Sequence, residues 1–220
     1  MIMYDVILFD LDGTLTDSKD GIIESIQHAL SELGIRESNV DKLVSFIGVP
    51  LIESFRKHYS LDATQARRGI ELYRKHYADV GIQTNAAYPG IPELLEELNA
   101  QGKRLIIATV KATVFAENVL KYLKLLDYFV SVVGGDLDTD GTSKTEIVRR
   151  ALSQSKVTPK QKAVMVGDRK HDVIAAHSSG IDSIAVTYGY GSLEEIRNAN
   201  PTYCARSVEE LKELLMKSPS

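Results

Sequence analysis

A three-layer α/β fold around a parallel sheet, with an all-helical insertion after the first strand, is predicted for this 220-residue chain by two observations. From Tyr88 onward, short apolar runs alternate with segments of helical period, the pattern of parallel strands crossed over by helices. Before Tyr88, a single apolar run near the N-terminus is followed by helical periodicity alone.

That first run, Val6 to Phe9, is continuously apolar, as strands buried on both faces are. Gly21 to Leu33 then sets Ile22, Ile23, Ile26, Ala29, Leu30 and Leu33 on one helical face, and Gly34 supplies a stop. Val40 to Ile47, Leu51 to Tyr59 and Ala63 to Val80 read as further helices, and Tyr88-Pro89-Gly90 marks the return of the α/β rhythm. Leu105 to Ala108, Phe129 to Val133, Ala163 to Val166 and Ser183 to Val186 read as strands. Ile91 to Asn99, Val114 to Leu123, Thr145 to Leu152 and Val173 to Ser178 read as the helices that accompany them. No internal repeat or low-complexity segment interrupts the pattern.

Composition narrows the class of function. The chain is 44% hydrophobic and 25% charged, ordinary for a soluble globular protein. A formal charge of -4 and basic pairs scattered at Arg67-Arg68, Lys103-Arg104 and Arg149-Arg150 argue against a nucleic-acid partner. Cys204 is the single cysteine, so no internal disulfide or multi-cysteine metal site is expected, and a reducing cytosol fits. The segment Met1 to Phe9 lacks a basic leader and runs straight into Asp10 and Asp12, unlike a signal peptide, and no apolar run has the length of a membrane span. A cytoplasmic protein without a membrane partner is the expectation.

Ligands of open parallel sheets bind beyond the carboxyl ends of the strands, so the residues that follow each strand carry information. The first strand ends in Asp10-Leu11-Asp12-Gly13-Thr14, the strand ending at Ala108 runs into Thr109-Val110-Lys111, and the strand ending at Val166 runs into Gly167-Asp168, with Asp172 four residues on. Acidic groups therefore converge on one rim. At an effective dielectric near 20, each like-charged pair about 4 Å apart costs on the order of 4 kcal/mol, so a cation is expected among them. An oxygen-rich site with no cysteine and no clustered histidine suits Mg²⁺.

The run Phe9-Asp10-Leu11-Asp12-Gly13-Thr14-Leu15 resembles the signature of the haloacid dehalogenase superfamily of phosphatases. Thr109, Lys144 and the run Gly167-Asp168-Arg169-Lys170-His171-Asp172 match that superfamily's other three motifs in order. The stretch Gly180 to Glu195, with Tyr188-Gly189-Tyr190-Gly191-Ser192, is similar to the phosphoglycolate-phosphatase-like branch. The resemblance implies a Rossmann-like catalytic core over residues 1–15 and 88–220 and a helical cap over residues 16–87. It further implies a phosphatase acting on a small phosphorylated metabolite. Asp10 would be the nucleophile. Asp12 would be the general acid and base, and its backbone carbonyl a metal ligand. Gly13 would let the chain turn away. Thr109 and backbone N–H groups near Val110 would hold the phosphoryl oxygens, and Lys144 would neutralise Asp10 and the phosphate. Asp10 and Asp168 would bind Mg²⁺ directly, and Asp172 would hold a water on the metal or orient Lys144. Val110 departs from the Asn or Ser usual there.

Each of these residues also has an ordinary structural reading. Asp10 to Thr14 matches a surface turn. Thr109 matches a helix N-cap, Lys111 and Lys144 match solvated lysines like Lys103, Lys121 and Lys124, and Asp172 matches the acid of a helix N-terminus. Asp136 to Gly141 imitates a calcium loop, but Ile147 stands where the bidentate Glu belongs, so a rim loop leading to Lys144 is expected. His28, His58, His76, His171 and His177 show no ligand spacing, and Arg56 is a candidate substrate contact or a solvated helix residue. A small-monoester phosphatase is the first reading. A phosphomutase of the same superfamily shares every core motif. A dehalogenase would leave the metal-binding acids without work, and a non-catalytic phosphate-ligand-binding protein would have no need of the full set of carboxylates.

Overall fold

The computed structural model describes residues 4–137, 141–156 and 162–216. Six parallel strands form the sheet: β1 (Val6–Phe9), β4 (Arg104–Ala112), β5 (Ser131–Gly135), β6 (Ala163–Gly167), β7 (Asp182–Val186) and β8 (Tyr203–Ala205). Their order is β5-β4-β1-β6-β7-β8. Strand β1 lies at the centre, with Phe9 level with Ile107 of β4 on one side and Val166 of β6 on the other. The chain builds outward from β1 through β4 to β5, then returns to β1's other side at β6. That reversal leaves a crevice at the carboxyl ends of these strands.

Alternation along each strand makes two cores. Ile7, Phe9, Leu105, Ile107, Val164 and Val166 bury one face against helices α5 (Ile91–Ala100), α6 (Thr113–Tyr122) and α10 (Val208–Met216). Val6, Leu8, Ile106, Ala108 and Met165 bury the other against α7 (Lys144–Ser155) and α8 (Lys170–Ser178). Helix α9 (Leu193–Ala199) packs through Ile196 on Val173 and Ala185.

The remaining helices lie between two short strands, β2 (Thr16–Asp17) and β3 (Ala86–Ala87), which pair antiparallel. Between them run α1 (Lys19–Glu32), α2 (Val40–Val44), α3 (Leu51–Tyr59) and α4 (Ala63–Asp79). Helix α4 starts at a capping box, with the Asp62 carboxylate accepting from the Gln65 N–H at 2.8 Å and the Gln65 amide oxygen from the Asp62 N–H at 3.1 Å. Its buried stripe of Ala66, Gly69, Tyr73 and Tyr77 follows the helical period. Gly69 lets α4 approach Leu33 and Phe55 closely.

The structure corrects several expectations. Strand β4 does not stop at Ala108 but continues to Ala112, with an irregularity against β5 after Ala108. Gly134 and Gly135 permit this, because a Cβ at either would crowd the carbonyl oxygens of Lys111 and Val110. Thr109 is therefore a strand residue, and Ala112 takes the N-cap position of α6. Lys103 is buried, not solvated, since the tight turn at Gly102 folds it back until its N–H meets the Leu98 carbonyl at 3.0 Å. The strand expected from Phe129 begins at Ser131, after a 3₁₀ turn over Leu126–Tyr128. The two-residue strands β2 and β3, the three-residue edge strand β8 and the seven-residue helix α9 are too short to carry a clear periodic signal. Helix α10, with Val208, Leu211 and Leu215 at helical spacing, is one that sequence reasoning missed. Met1 to Met3 and residues 138–140 of the expected rim loop lie outside the described residues. No helix among the described residues is long and apolar enough to cross a membrane.

Candidate active site

Each carboxylate is placed by the strand end that precedes it. Asp10 follows β1 directly, its N–H donating to the Val166 carbonyl at 2.9 Å, so the β1–β6 ladder fixes its backbone. Its Oδ1 accepts from the Leu11 N–H at 2.8 Å. The chain then turns sharply, with the Leu15 N–H donating to the Leu11 carbonyl at 2.9 Å and the Gly13 N–H to the Thr16 carbonyl at 2.8 Å. Gly13 sits at φ +81°, and a Cβ there would strike the Asp168 carboxylate, so only glycine fits both demands.

Asp168, just past β6, accepts from the Tyr190 N–H at 2.7 Å on Oδ2 and from the Thr14 hydroxyl at 3.4 Å on Oδ1. Asp172 lies in the first turn of α8, where its Oδ2 accepts from the Arg169 N–H at 3.0 Å. Asp10, Asp168 and Asp172 are all buried, and each offers an oxygen within 4.8 Å of the others.

Lys144 reaches into this group from the N-terminus of α7. Its Nζ lies 2.9 Å from Asp10 Oδ1 and 2.8 Å from Asp172 Oδ1, and donates to the Ala108 carbonyl at 3.0 Å. The solvated reading of Lys144 is thereby excluded, its side chain being 4% exposed. Burial alone would lower the ammonium's pKa, but Asp10 and Asp172 outweigh it and push it up. One ammonium does not balance three carboxylates. Burial, opposed by Lys144 and reinforced by Asp172, raises Asp10 to about 6. Burial, then the charges of Asp172 and Asp10, raises Asp168 to about 8. Asp172 Oδ1 faces the Lys144 ammonium at 2.8 Å and has no other polar partner among the described residues. Three buried carboxylates with converging oxygens and a surplus of negative charge fit a hard divalent cation such as Mg²⁺.

Asp12 turns away from the triad. Its Oδ1 pairs with Lys111 Nζ at 2.7 Å, and the same ammonium lies 2.7 Å from the hydroxyl of Tyr77 on α4 and 4.5 Å above that ring. The Asp12 and Tyr77 charges and hydrogen bonds overcome burial and push Lys111's pKa up. Its reading as a solvated lysine is corrected, because the extended β4 carries its stem beneath α4. Thr109 is buried, its hydroxyl oxygen accepting from the Lys111 N–H at 3.3 Å, and the half-buried Val110 faces the crevice. Sequence reasoning missed Tyr77. Its only signal was its place on the apolar stripe of α4, which any core tyrosine shares.

A cleft of about 800 Å³, its open mouth included, lies between Asp12, Val110 and Lys111 on the sheet side and α1, α3 and α4 opposite. Phe46, Ile47, Ile52, Ile70, Tyr73 and Phe115 give it largely apolar walls. Arg74, also at the cleft, donates to the Leu137 carbonyl at 2.9 Å. Arg56 is exposed and is not among the cleft's lining residues, because α3 turns Ile52 and Phe55 inward instead. Asp136, at the start of the rim loop, pairs with Arg150 at 3.3 Å.

This geometry has counterparts among known proteins. The family profile of haloacid dehalogenase-like hydrolases matches residues 7–186. A 5'-nucleotidase of Pseudomonas aeruginosa is 38% identical over 97% of this chain and 96% of its own. The tyrosine-protein kinase PtkA of Mycobacterium tuberculosis is 36% identical over 96% of this chain and 72% of its own. A phosphoglycolate phosphatase of Vibrio parahaemolyticus is 33% identical over 97% and 96%. The crystal structure of a predicted phosphatase from Clostridium acetobutylicum superposes with a TM-score of 0.93 at 39% identity, covering 97% of this chain and 99% of that one. The chain belongs to the haloacid dehalogenase-like hydrolase family. Within that family it is an enzyme of the phosphoric monoester hydrolase type.

The raised carboxylates predict how stability depends on pH. Asp10 and Asp168 titrate from an ordinary 3.8 to about 6 and about 8 in the fold. Between these values the folded chain holds more protons than the unfolded one, so stability falls as pH rises through that window. Thermal unfolding in chelator should give a lower midpoint at about pH 8.5 than at about pH 5.5, and Mg²⁺ should stabilise more at the higher pH. A midpoint that rises with pH in chelator would contradict the charge surplus.

Proposed function

We propose that the protein is a Mg²⁺-dependent phosphatase that hydrolyses small phosphate monoesters through an aspartyl-phosphate on Asp10, with nucleoside monophosphates as the preferred class. The observation that carries this is Lys144 bridging Asp10 and Asp172 beside Asp168, a buried cluster still short of positive charge. Asp10, Asp168, Asp172 and the backbone carbonyl of Asp12 would hold Mg²⁺. The ion, when bound, neutralises the phosphoryl oxygens and the carboxylates around them.

The chain's own residues supply the remaining chemistry. Asp10 attacks phosphorus and the ester oxygen departs, taking a proton from Asp12. Asp12 then accepts a proton from the water that attacks the aspartyl-phosphate, releasing inorganic phosphate and restoring both carboxyl groups. Lys144 offsets charge on Asp10 and the transferring group throughout, and backbone N–H groups near Thr109 and Val110 hold the phosphoryl oxygens. Residues 16–87 act as a cap over residues 1–15 and 88–220, excluding water and selecting the leaving alcohol.

The aromatic and aliphatic walls support an alcohol with a broad apolar face. Phosphoglycolate presents a carboxylate instead, and the cations lining the cleft among the described residues, Arg74 and Lys111, are already engaged. The resemblance to a 5'-nucleotidase points the same way. Phosphate release from nucleoside monophosphates should exceed that from phosphoglycolate and sugar phosphates by roughly tenfold or more in kcat/KM, and vanish in chelator. Preference for phosphoglycolate would overturn the substrate class, and full turnover in excess chelator would overturn the metal.

A further inference from the structure

The segment Tyr188 to Ser192 does no chemistry in this scheme, yet it touches both the acidic cluster and the root of the helical insertion. The Tyr190 N–H donates to Asp168 Oδ2 at 2.7 Å. At its other end, the Tyr190 hydroxyl accepts from the Ser18 N–H at 2.7 Å and donates to Asp17 Oδ1 at 2.8 Å. Asp17 ends β2 and Ser18 is the N-cap residue of α1, so one side chain spans from the carboxylate to the point where the chain enters the helices. The Ser18 hydroxyl is buried without a hydrogen-bond partner, so the phenol holds this turn through its backbone.

The flanking glycines make the span possible. A Cβ on Gly189 would run into the Gly13 carbonyl oxygen and the Asp168 side chain, and one on Gly191 into the Asp168 carbonyl. Tyr188 secures the same loop to the other ribbon strand. Its hydroxyl donates to the Thr14 carbonyl at 3.0 Å, and its ring meets Tyr88, the residue after β3, edge-on at 5.1 Å.

We propose that Tyr190 is a positioning residue that ties the β2–β3 ribbon to the Asp168 carboxylate, so that cap position and Mg²⁺ affinity depend on each other. The idea rests on Asp168 being a Mg²⁺ ligand, as proposed above. Hydrogen bonds this short tolerate little displacement. A rotation of the helices about Asp17 and Ser18 therefore drags the phenol, shifts the Tyr190 N–H and disturbs the aim of Asp168. Coupling between two binding equilibria is reciprocal, so fixing Asp168 on the ion also favours one position of the ribbon.

The test combines Mg²⁺ titration of thermal unfolding with hydrogen exchange of a peptide covering residues 16–22, on the full chain. In the unaltered protein, Mg²⁺ should raise the unfolding midpoint and slow exchange at the Ser18 amide. Tyr190→Phe keeps the ring and the backbone N–H but loses the hinge bonds. It should need at least roughly fivefold more Mg²⁺ for half its effect, and Mg²⁺ should no longer slow exchange at Ser18. Asp17→Ala removes the hydroxyl's acceptor at an exposed position and should shift the same readouts if Tyr190→Phe does not fold. Tyr4→Phe loses a comparable bond, to Asp182 Oδ2 at 2.7 Å, far from the ribbon, and should keep the original Mg²⁺ midpoint. A folded Tyr190→Phe or Asp17→Ala with unchanged Mg²⁺ midpoint would overturn the coupling and leave the metal reading standing. A matching loss in Tyr4→Phe would reduce the effect to general loosening and overturn the coupling too. No Mg²⁺ effect on the unaltered protein would bring down both.

Discussion

Asp10→Asn should turn over neither natural nor activated esters, a loss on the order of 10⁴-fold or more, while Asp12→Asn should fail in a different way. The two side chains sit two residues apart but face different partners: Asp10 lies with Lys144 and the acidic cluster, and Asp12 with Lys111 and Tyr77. An amide at position 10 has no nucleophilic oxygen, so no phosphoenzyme should form. An amide at position 12 still accepts a hydrogen bond from Lys111, so the fold around it should hold. What it cannot do is donate the proton that a basic alkoxide needs or take one from water. Protonation matters little for a nitrophenolate leaving group, so the first step on an activated ester should partly survive. The second step lacks its base, and the covalent intermediate should accumulate. Intact-protein mass spectrometry after brief incubation with an activated ester reads this directly as one added phosphoryl group. Phosphorylated Asp10→Asn, or Asp12→Asn with normal turnover of a natural ester, would mean the roles are misassigned.

How much of this site was legible in the sequence depended on how locally each residue is placed. Asp10 and Asp168 each follow a short, continuously apolar strand, and what a parallel sheet carries at its carboxyl ends is brought together by the strand order. Lys144 was readable only through the resemblance to the superfamily's motifs, since its local pattern equally suited a solvated lysine beside the helix expected from Thr145. Thr109, Val110 and Lys111 were recognised as a group, but the extension of β4 to Ala112 was not. It depends on the close approach of Gly134 and Gly135 from another strand, which no local pattern records. Tyr77 and Tyr190 lie further still from what periodicity reveals. One looks like a core residue of α4 and the other like part of a Gly-rich turn, and only packing across the molecule brings each to a carboxylate or its partner. The same holds for Lys103, whose burial comes from a turn rather than from any apolar pattern.

Lys144→Met should cost both activity and stability, and the two losses should separate with Mg²⁺. The side chain is a nearly isosteric apolar replacement, so packing in the buried site changes little. What disappears is the cation between Asp10 and Asp172, at 2.9 and 2.8 Å. Removing one partner of a buried ion pair typically costs about 3 to 5 kcal/mol, because the remaining charge stays desolvated and uncompensated. Here the carboxylates can relieve part of that by taking up protons, as the raised Asp10 and Asp168 already show, so the deficit should be smaller at acidic pH. Mg²⁺ should recover a share of the stability, since it brings positive charge to the same oxygens. It should not recover the rate, because no group then offsets the charge developing between Asp10 and the transferring phosphoryl group. A loss of at least roughly tenfold in kcat/KM at saturating Mg²⁺ is expected, or about 1.4 kcal/mol of transition-state stabilisation. Lys121→Ala serves as the comparison. Its side chain is 57% exposed and its nearest acid, Glu117, lies 3.8 Å away, so neither stability nor rate should move appreciably. Chemical denaturation and phosphate-release kinetics on both variants, each with chelator and with Mg²⁺, give the four comparisons. If Lys144→Met keeps full activity with Mg²⁺ present, the lysine serves only to neutralise the metal-free fold, and the charge on the phosphoryl group must be balanced by the ion alone.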